Sequence, residues 1–250
     1  NEEFIIHDAD QYLSKYLERK LKEDKIKIIH VDEIGGYENG QLLVGENKIN
    51  CDKVVNCNYR NGITPVTDIK LEINEDGFLQ TDDNLQTNAA RIYAIGDVNG
   101  KSYLAHAASA QGIWLINHLK GIKNTLNMKL YPLNIYTSPE IAQIGMSEAE
   151  IKEEGYEYKI NEFPLTANGK SLTEGNSDGL LRLLSETKYG QVLGVQIIAE
   201  HATDMIAEAS AYMQLEGTVY DIAQTIHAHP TVSEIFMEAG FDAVDQAIHK

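Results

Sequence analysis

The 250-residue chain carries 21 Lys and Arg against 38 Asp and Glu, a formal net charge of −17, which repels phosphate backbones and anionic headgroups and argues against a nucleic-acid partner. Its 43% of apolar residues can fill the cores of two domains, or of one domain and part of another. No apolar run approaches the ~20 residues that span a bilayer, and the amino end has no basic region or cleavage pattern, so no membrane association and a cytoplasmic location are expected.

In chain order, Leu13, Tyr16, Leu17 and Leu21 recur at helical spacing over Asp10 to Glu23. Lys25 to Val31 and Gln41 to Val44 read as short strands, with the Gly-Gly-Tyr-Glu-Asn-Gly stretch at 35 to 40 as the turn between them. A third strand, Lys48 to Asn56, leads into Tyr59-Arg60-Asn61-Gly62 and a Pro65 connector. Cys51 and Cys57 fall in or just beyond that strand. Extended chain separates them by roughly 20 Å, past disulfide reach, so both are expected to be buried thiols. The chain starts at Asn1 rather than Met, close to a helix, as expected of a fragment or processed product.

Arg91 to Ile95 reads as a buried strand ending at Gly96-Asp97, and Leu104 to Leu119 as a helix of small and apolar residues. After a connector at 121 to 132 the pattern becomes a regular alternation of strands and helices. Ser147-Glu-Ala-Glu150 is a capping box, and Leu180 to Ser185 with Gln191 to Ala199 forms a hairpin about Tyr189-Gly190. Thr203 to Leu215, Val219 to Gln224 and Val232 to Ile248 read as helices.

Two stretches carry chemistry. In His227-Ala-His229-Pro-Thr-Val-Ser-Glu234, Pro230 disfavours helical geometry at His229 and displays its imidazole from an extended segment. Glu234 is placed to accept a hydrogen bond from one ring nitrogen, which fixes the tautomer and leaves the other nitrogen to exchange a proton. The same residues fit a purely structural reading, because Thr231-Val-Ser-Glu234 also matches a capping box. A metal site is not expected: His-x-His lacks a third and fourth ligand at usable spacing. The second stretch is Arg91-Ile-Tyr-Ala-Ile-Gly-Asp97 followed by Leu104-Ala105-His106. A carboxylate at the end of a strand faces the crevice where α/β sheets bind ligands, and the following helix directs its positive end there. The alternative is an Asp that caps its own turn.

Taken together, Ile92 to Asp97, Leu104 to His106, Tyr136-Thr-Ser-Pro-Glu140 with Ile144-Gly145, and His227 to Glu234 follow one another over about 140 residues in a way that resembles the FAD-dependent pyridine nucleotide-disulfide oxidoreductases. Within them the His-Ala-His-Pro-Thr-x-Ser-Glu form resembles the dihydrolipoamide dehydrogenases. Ile235 after Glu234, and a tail without cysteine, set the chain apart from the glutathione and mercuric reductases.

The resemblance implies an α/β and α+β architecture covering the C-terminal part of that family. Residues 1–62 would be the end of an NAD domain, 63–122 the returning segment of an FAD domain, and 123–250 a mixed-sheet interface domain that forms a homodimer. It implies His229 and Glu234 as the catalytic acid/base pair. Asp97, Leu104, Ala105 and His106 would belong to part of an FAD site, with NAD and a lipoyl-bearing acyltransferase complex as further partners of the complete enzyme. The chain has no Gly-x-Gly-x-x-Gly and no Cys-x-x-x-x-Cys, and the family's Thr-Gly-Arg segment is replaced around Arg60. The chain alone is therefore expected to be inactive. The alternatives are a non-catalytic dimerisation fragment, or the same part of a related flavin disulfide reductase.

Overall fold

The computed structural model describes residues 5–6, 9–31, 34–55, 57, 62–63 and 67–249. The chain divides into two compact units: Asn1–Ile5 with Lys15–Ser102, and Ile6–Ser14 with Tyr103–Lys250. Among the described residues no helix is long and apolar enough to cross a membrane.

The first unit holds most of helix α1 (Gln11–Glu23) and a three-stranded antiparallel sheet, β1 (Ile34–Glu38), β2 (Gln41–Val44) and β3 (Asn47–Asn50), in sequential order. Asn39 and Gly40 close the first hairpin at φ 53° and 75°. Two successive positive φ values match the twist of the flanking strands, so the turn takes two residues and Gly35 to Glu38 join the strand. Residues 25–31 form no strand. Lys25 turns left-handed (φ 62°) at the end of α1, and among the described residues no ladder partner lies beside this exposed segment.

Strand β3 ends at Asn50, short of the expected Asn56. Cys51 is consequently half-buried and Cys57 exposed, and both are free, which corrects the expectation of buried thiols. The Tyr59-Arg60-Asn61 connector, Asn56 and Pro65 lie outside the described residues. Arg91 to Ile95 is also not a strand. A buried strand needs partners along both edges, and among the described residues it pairs on one side only, through the isolated bridge Gln86 to Tyr93 and the flanking bonds to Leu85 and Thr87. Only Ala94 of the five is buried.

In the second unit, helix α2 (Ala105–Leu119) is followed by β4 (Leu133–Ile135), β5 (Glu140–Gly145), α3 (Glu148–Glu153), β6 (Tyr158–Pro164), α4 (Gly169–Glu174), β7 (Leu180–Glu186), β8 (Val192–Ala199), α5 (Ala202–Gln214), α6 (Val219–Gln224) and α7 (Glu234–Ala243). The five strands run β4-β5-β8-β7-β6. A helix-covered sheet stands where it is expected, but every pair is antiparallel rather than mixed. The five residues between β7 and β8 are too few for the crossover that parallel pairing requires. The expected capping box opens α3: Ser147 Oγ accepts from the Glu150 N–H, and Glu150 accepts from the Ser147 N–H.

Side chains of alternate parity leave the sheet on opposite faces. Leu181, Leu183, Val195 and Ile197 pack with Ile206 of α5, Ile222 of α6 and Phe236 of α7 in the main core. The other face carries Leu184 and Leu193 against Ile151 of α3, and beside them a polar row. Glu162, Arg182, Gln196 and Gln143 are cross-strand neighbours on β6, β7, β8 and β5.

Arg182 Nε donates to Glu162 at 2.8 Å and its NH1 to Gln196 Oε1 at 2.8 Å. The guanidinium also stands 3.8 Å from Asp10, 3.5 Å from Glu148 and 4.0 Å over the Tyr12 ring. Asp10 completes the row: its N–H donates to Gln143, and its carboxylate accepts from the Glu148 and Tyr12 N–H groups, each at 2.8 Å. The first turn of α1 is thereby seated on the sheet.

Candidate functional site

Between α6 and α7 the chain passes through the loop that carries both His227 and His229. The loop is fixed at several points. Thr225 Oγ1 donates to the Asp221 carbonyl, Thr231 Oγ1 to the Ala228 carbonyl, and Asn168 Nδ2 to the Thr231 carbonyl. His229 precedes Pro230 through a cis peptide bond, and its side chain is 78% exposed.

Glu234 opens α7 and makes two bonds. Its Oε1 stands 2.9 Å from His229 Nδ1, and its Oε2 accepts from the Thr231 N–H at 2.8 Å. The capping and orienting geometries are therefore both present, one on each oxygen, with half of the capping box made. The other half is missing: α7 starts with no side-chain cap to its first N–H groups, and Thr231 Oγ1 donates to the Ala228 carbonyl. The helix itself starts at Glu234 and ends at Ala243, shorter than the expected span of 232 to 248. Burial acts to raise the Glu234 pKa. The Thr231 N–H, the His229 hydrogen bond and the charges of His229 and His227 outweigh it and hold the carboxylate below its usual range. An anionic Glu234 accepts from Nδ1–H and leaves Nε2 of an exposed ring as the proton acceptor.

A second histidine-carboxylate pair lies beside the first. His227 Nε2 is 2.7 Å from Glu208 Oε1 on α5, and Nδ1 is 3.0 Å from the Thr225 carbonyl. Its side chain is only 6% exposed. The hydrogen bond to Glu208 raises the His227 pKa against the opposing effect of burial, with the Glu208 charge, the Thr225 carbonyl and Glu234 adding to it. Glu208 was not legible in the sequence. It sits 19 positions before His227, and the only hint was an additional histidine without an evident partner. A third pair joins His249 to the buried Glu238 at 2.6 Å.

The other expected residues fall as follows. Asp97 lies in a 3-10 turn, Gly96–Asn99, and is exposed. In the second unit Leu104 precedes α2 in extended conformation and offers no side-chain cap. The first N–H groups of a 15-residue helix therefore open beside exposed Ala105 and His106, an arrangement that suits an electron-rich ligand edge. His106 Nε2 is engaged by the Pro132 carbonyl at 2.8 Å. Among the described residues no group of three or more potential ligands is placed to hold a metal ion.

Comparison with known proteins resolves the family. The family model described as pyridine nucleotide-disulphide oxidoreductase, dimerisation domain, matches residues 131–240, and the one described as pyridine nucleotide-disulphide oxidoreductase matches residues 1–112. The chain belongs to the pyridine nucleotide-disulphide oxidoreductases.

Among curated members, it is 42% identical over 178 residues to the dihydrolipoyl dehydrogenase of Bacillus subtilis, covering 71% of this chain and 38% of that protein. It is 38% identical over 208 residues to that of Haloferax volcanii, covering 82% and 44%, and 34% identical over 253 residues to that of Cupriavidus necator, covering 95% and 52%. The chain thus spans about half the length of the curated relatives it matches. Its fold is shared with LpdA from Mycobacterium tuberculosis (TM-score 0.84, 21% identity, 93% of this chain and 53% of that one). It is shared equally with the HOCl-induced flavoprotein disulfide reductase RclA from Escherichia coli (0.83, 21%, 94% and 56%).

Proposed function

We propose that this chain is the portion of a cytoplasmic dihydrolipoyl dehydrogenase that supplies the His229–Glu234 proton-transfer pair and the dimer interface. Residues 1–62, 63–122 and 123–250 would be the NAD-domain, FAD-domain and interface segments. The observation that carries the reading is the 2.9 Å contact between Glu234 and His229 Nδ1 on a ring that is 78% exposed. In the complete homodimeric enzyme, His229 Nε2 takes a proton from a thiol of dihydrolipoamide. Only the thiolate attacks a disulfide sulfur. Glu234 holds the Nδ1–H tautomer and balances the imidazolium that results.

We infer that residues of this chain contribute to part of an FAD site. The Asp97 carboxylate would take a ribityl hydroxyl, and the open start of α2 at Leu104, Ala105 and His106 would face the electron-rich pyrimidine edge. Bound FAD supplies two-electron transfer between the dithiol chemistry and NAD. The lipoyl group would arrive on an acyltransferase complex. The 250-residue chain by itself, without a glycine-rich nucleotide loop or a redox cysteine pair, is proposed to be inactive.

The test is His229→Gln in the longer protein. NAD-linked oxidation of dihydrolipoamide should fall by about 100-fold or more, the usual worth of a general base, with flavin content unchanged. Activity within a few fold of the parent would overturn the reading.

A further inference from the structure

We propose that Glu208 is a positioning residue: through His227 it anchors the loop that presents His229. This rests on reading His229–Glu234 as the acid/base pair.

The argument begins with the two partners of His227. The Thr225 carbonyl can only accept a hydrogen bond, so Nδ1 carries a proton; an ionised Glu208 can only accept as well, so Nε2 carries one too. With both contacts made and the side chain 6% exposed, the ring is held as an imidazolium. The carboxylate comes from the middle of α5, the helix packed on the sheet through Met205, Ile206 and Ala209. The loop is therefore tied to a rigid element other than the two helices it joins.

The groups that face this pair are known from each neighbouring element. Tyr212 of α5 interacts with both Thr225 and Glu208. Asp221 of α6 is committed to the N–H and hydroxyl of Thr218. Glu234 of α7 is desolvated by burial, yet the Thr231 N–H and His229 hold its carboxylate below the usual range, and the His227 charge contributes least. Glu208 therefore holds the His227 ring directly, two residues before His229, whose Nδ1 must be kept on the Glu234 carboxylate.

Glu208→Gln removes the charge and keeps the shape. Ring-nitrogen NMR on the 250-residue chain reads both histidines separately. In the parent, His227 should show two protonated ring nitrogens at neutral pH, and His229 a single Nδ1–H tautomer. In Glu208→Gln, His227 should lose the doubly protonated signature, and His229 should move toward the tautomer mixture of an unheld imidazole. If the variant fails to fold, His227→Gln is read in the same way at His229. A variant that is less stable, or changed at His227, while the His229 signals stay those of the parent would overturn the proposal. The catalytic reading is tested apart from this by His229→Gln in the longer protein, so either idea can fail alone.

Discussion

Replacing Arg182 by Met tests whether the polar row is a structural keystone. Met keeps most of the side-chain volume, so the cavity contribution is small. What is lost is the charge that four acceptors share. Glu162 is 44% exposed and re-enters water, so its bond is worth about 1 kcal/mol or less. Gln196 is fully buried and Asp10 5% exposed, and neither has solvent to turn to. Leaving Gln196 Oε1 without its donor costs about 1–3 kcal/mol, whereas Asp10 keeps its two backbone N–H donors and loses the nearby countercharge.

Loss of the cation over Tyr12 adds about 0.5–2 kcal/mol. The expected destabilisation is about 3–5 kcal/mol, in line with breaking other buried ion pairs, and a fall in Tm of roughly 6–20 °C for a chain of this size. Urea denaturation gives the free energy. Amide exchange locates it, with the Asp10, Tyr12 and Glu148 N–H groups expected to exchange faster before the β7–β8 ladder does. In a double-mutant cycle, adding Asp10→Asn should restore at least about 0.5 kcal/mol. A loss under about 1 kcal/mol, or unchanged exchange at Asp10, would refute the keystone role.

Four further outcomes are expected. His227 has its pKa raised above the ordinary 6.5 in the folded chain. Its contribution to stability is complete below that value and disappears as pH rises through the raised one. The Tm advantage of the parent over His227→Gln should accordingly be larger near about pH 6 than near about pH 9, and a constant difference would refute the assignment. Glu234→Gln should change stability by less than about 1 kcal/mol, because the amide oxygen still accepts from Thr231. Its NH2 group would then face His229 Nδ1 and favour the opposite tautomer, which ring-nitrogen NMR detects; an unchanged tautomer would mean that the carboxylate serves only the helix start. Gly179→Ala should cost more than about 2 kcal/mol by urea denaturation, since φ is 136° and a Cβ would stand 2.0 Å from the Ile198 carbonyl oxygen. Light scattering at micromolar concentration should give a dimer, as obligate interfaces above about 2,000 Å² do; a monomer would count against the interface role.

Much of the second unit was legible in the sequence because its signals are local. Capping at Ser147 and Glu150, the hairpin turn at Tyr189-Gly190 between the apolar runs of β7 and β8, and the helical runs of α5 and α6 each depend on residues within one turn or one element. The same holds for Glu234 and His229, five residues apart on either side of a proline. Non-local facts were not legible. Arg91 to Ile95 has the composition of a buried strand, yet it is a strand only where partners flank it. Residues 25–31 fail for the same reason. Cys51 and Cys57 looked buried only because β3 was read as longer than its ladder.

The sequence by itself determined the family, the hairpin and three helices that end the chain, and a Glu234 within reach of His229, since each follows from residue types at short fixed spacings. Tertiary structure alone decided what lies opposite what. Glu162, Arg182, Gln196 and Gln143 fall in one row only because four strands pair in that register, and Asp10 reaches the row from more than a hundred residues away. Glu208 meets His227 only once α5 packs against the sheet. Burial then gives these contacts their energy, because a charged group removed from water must find its partner within the fold.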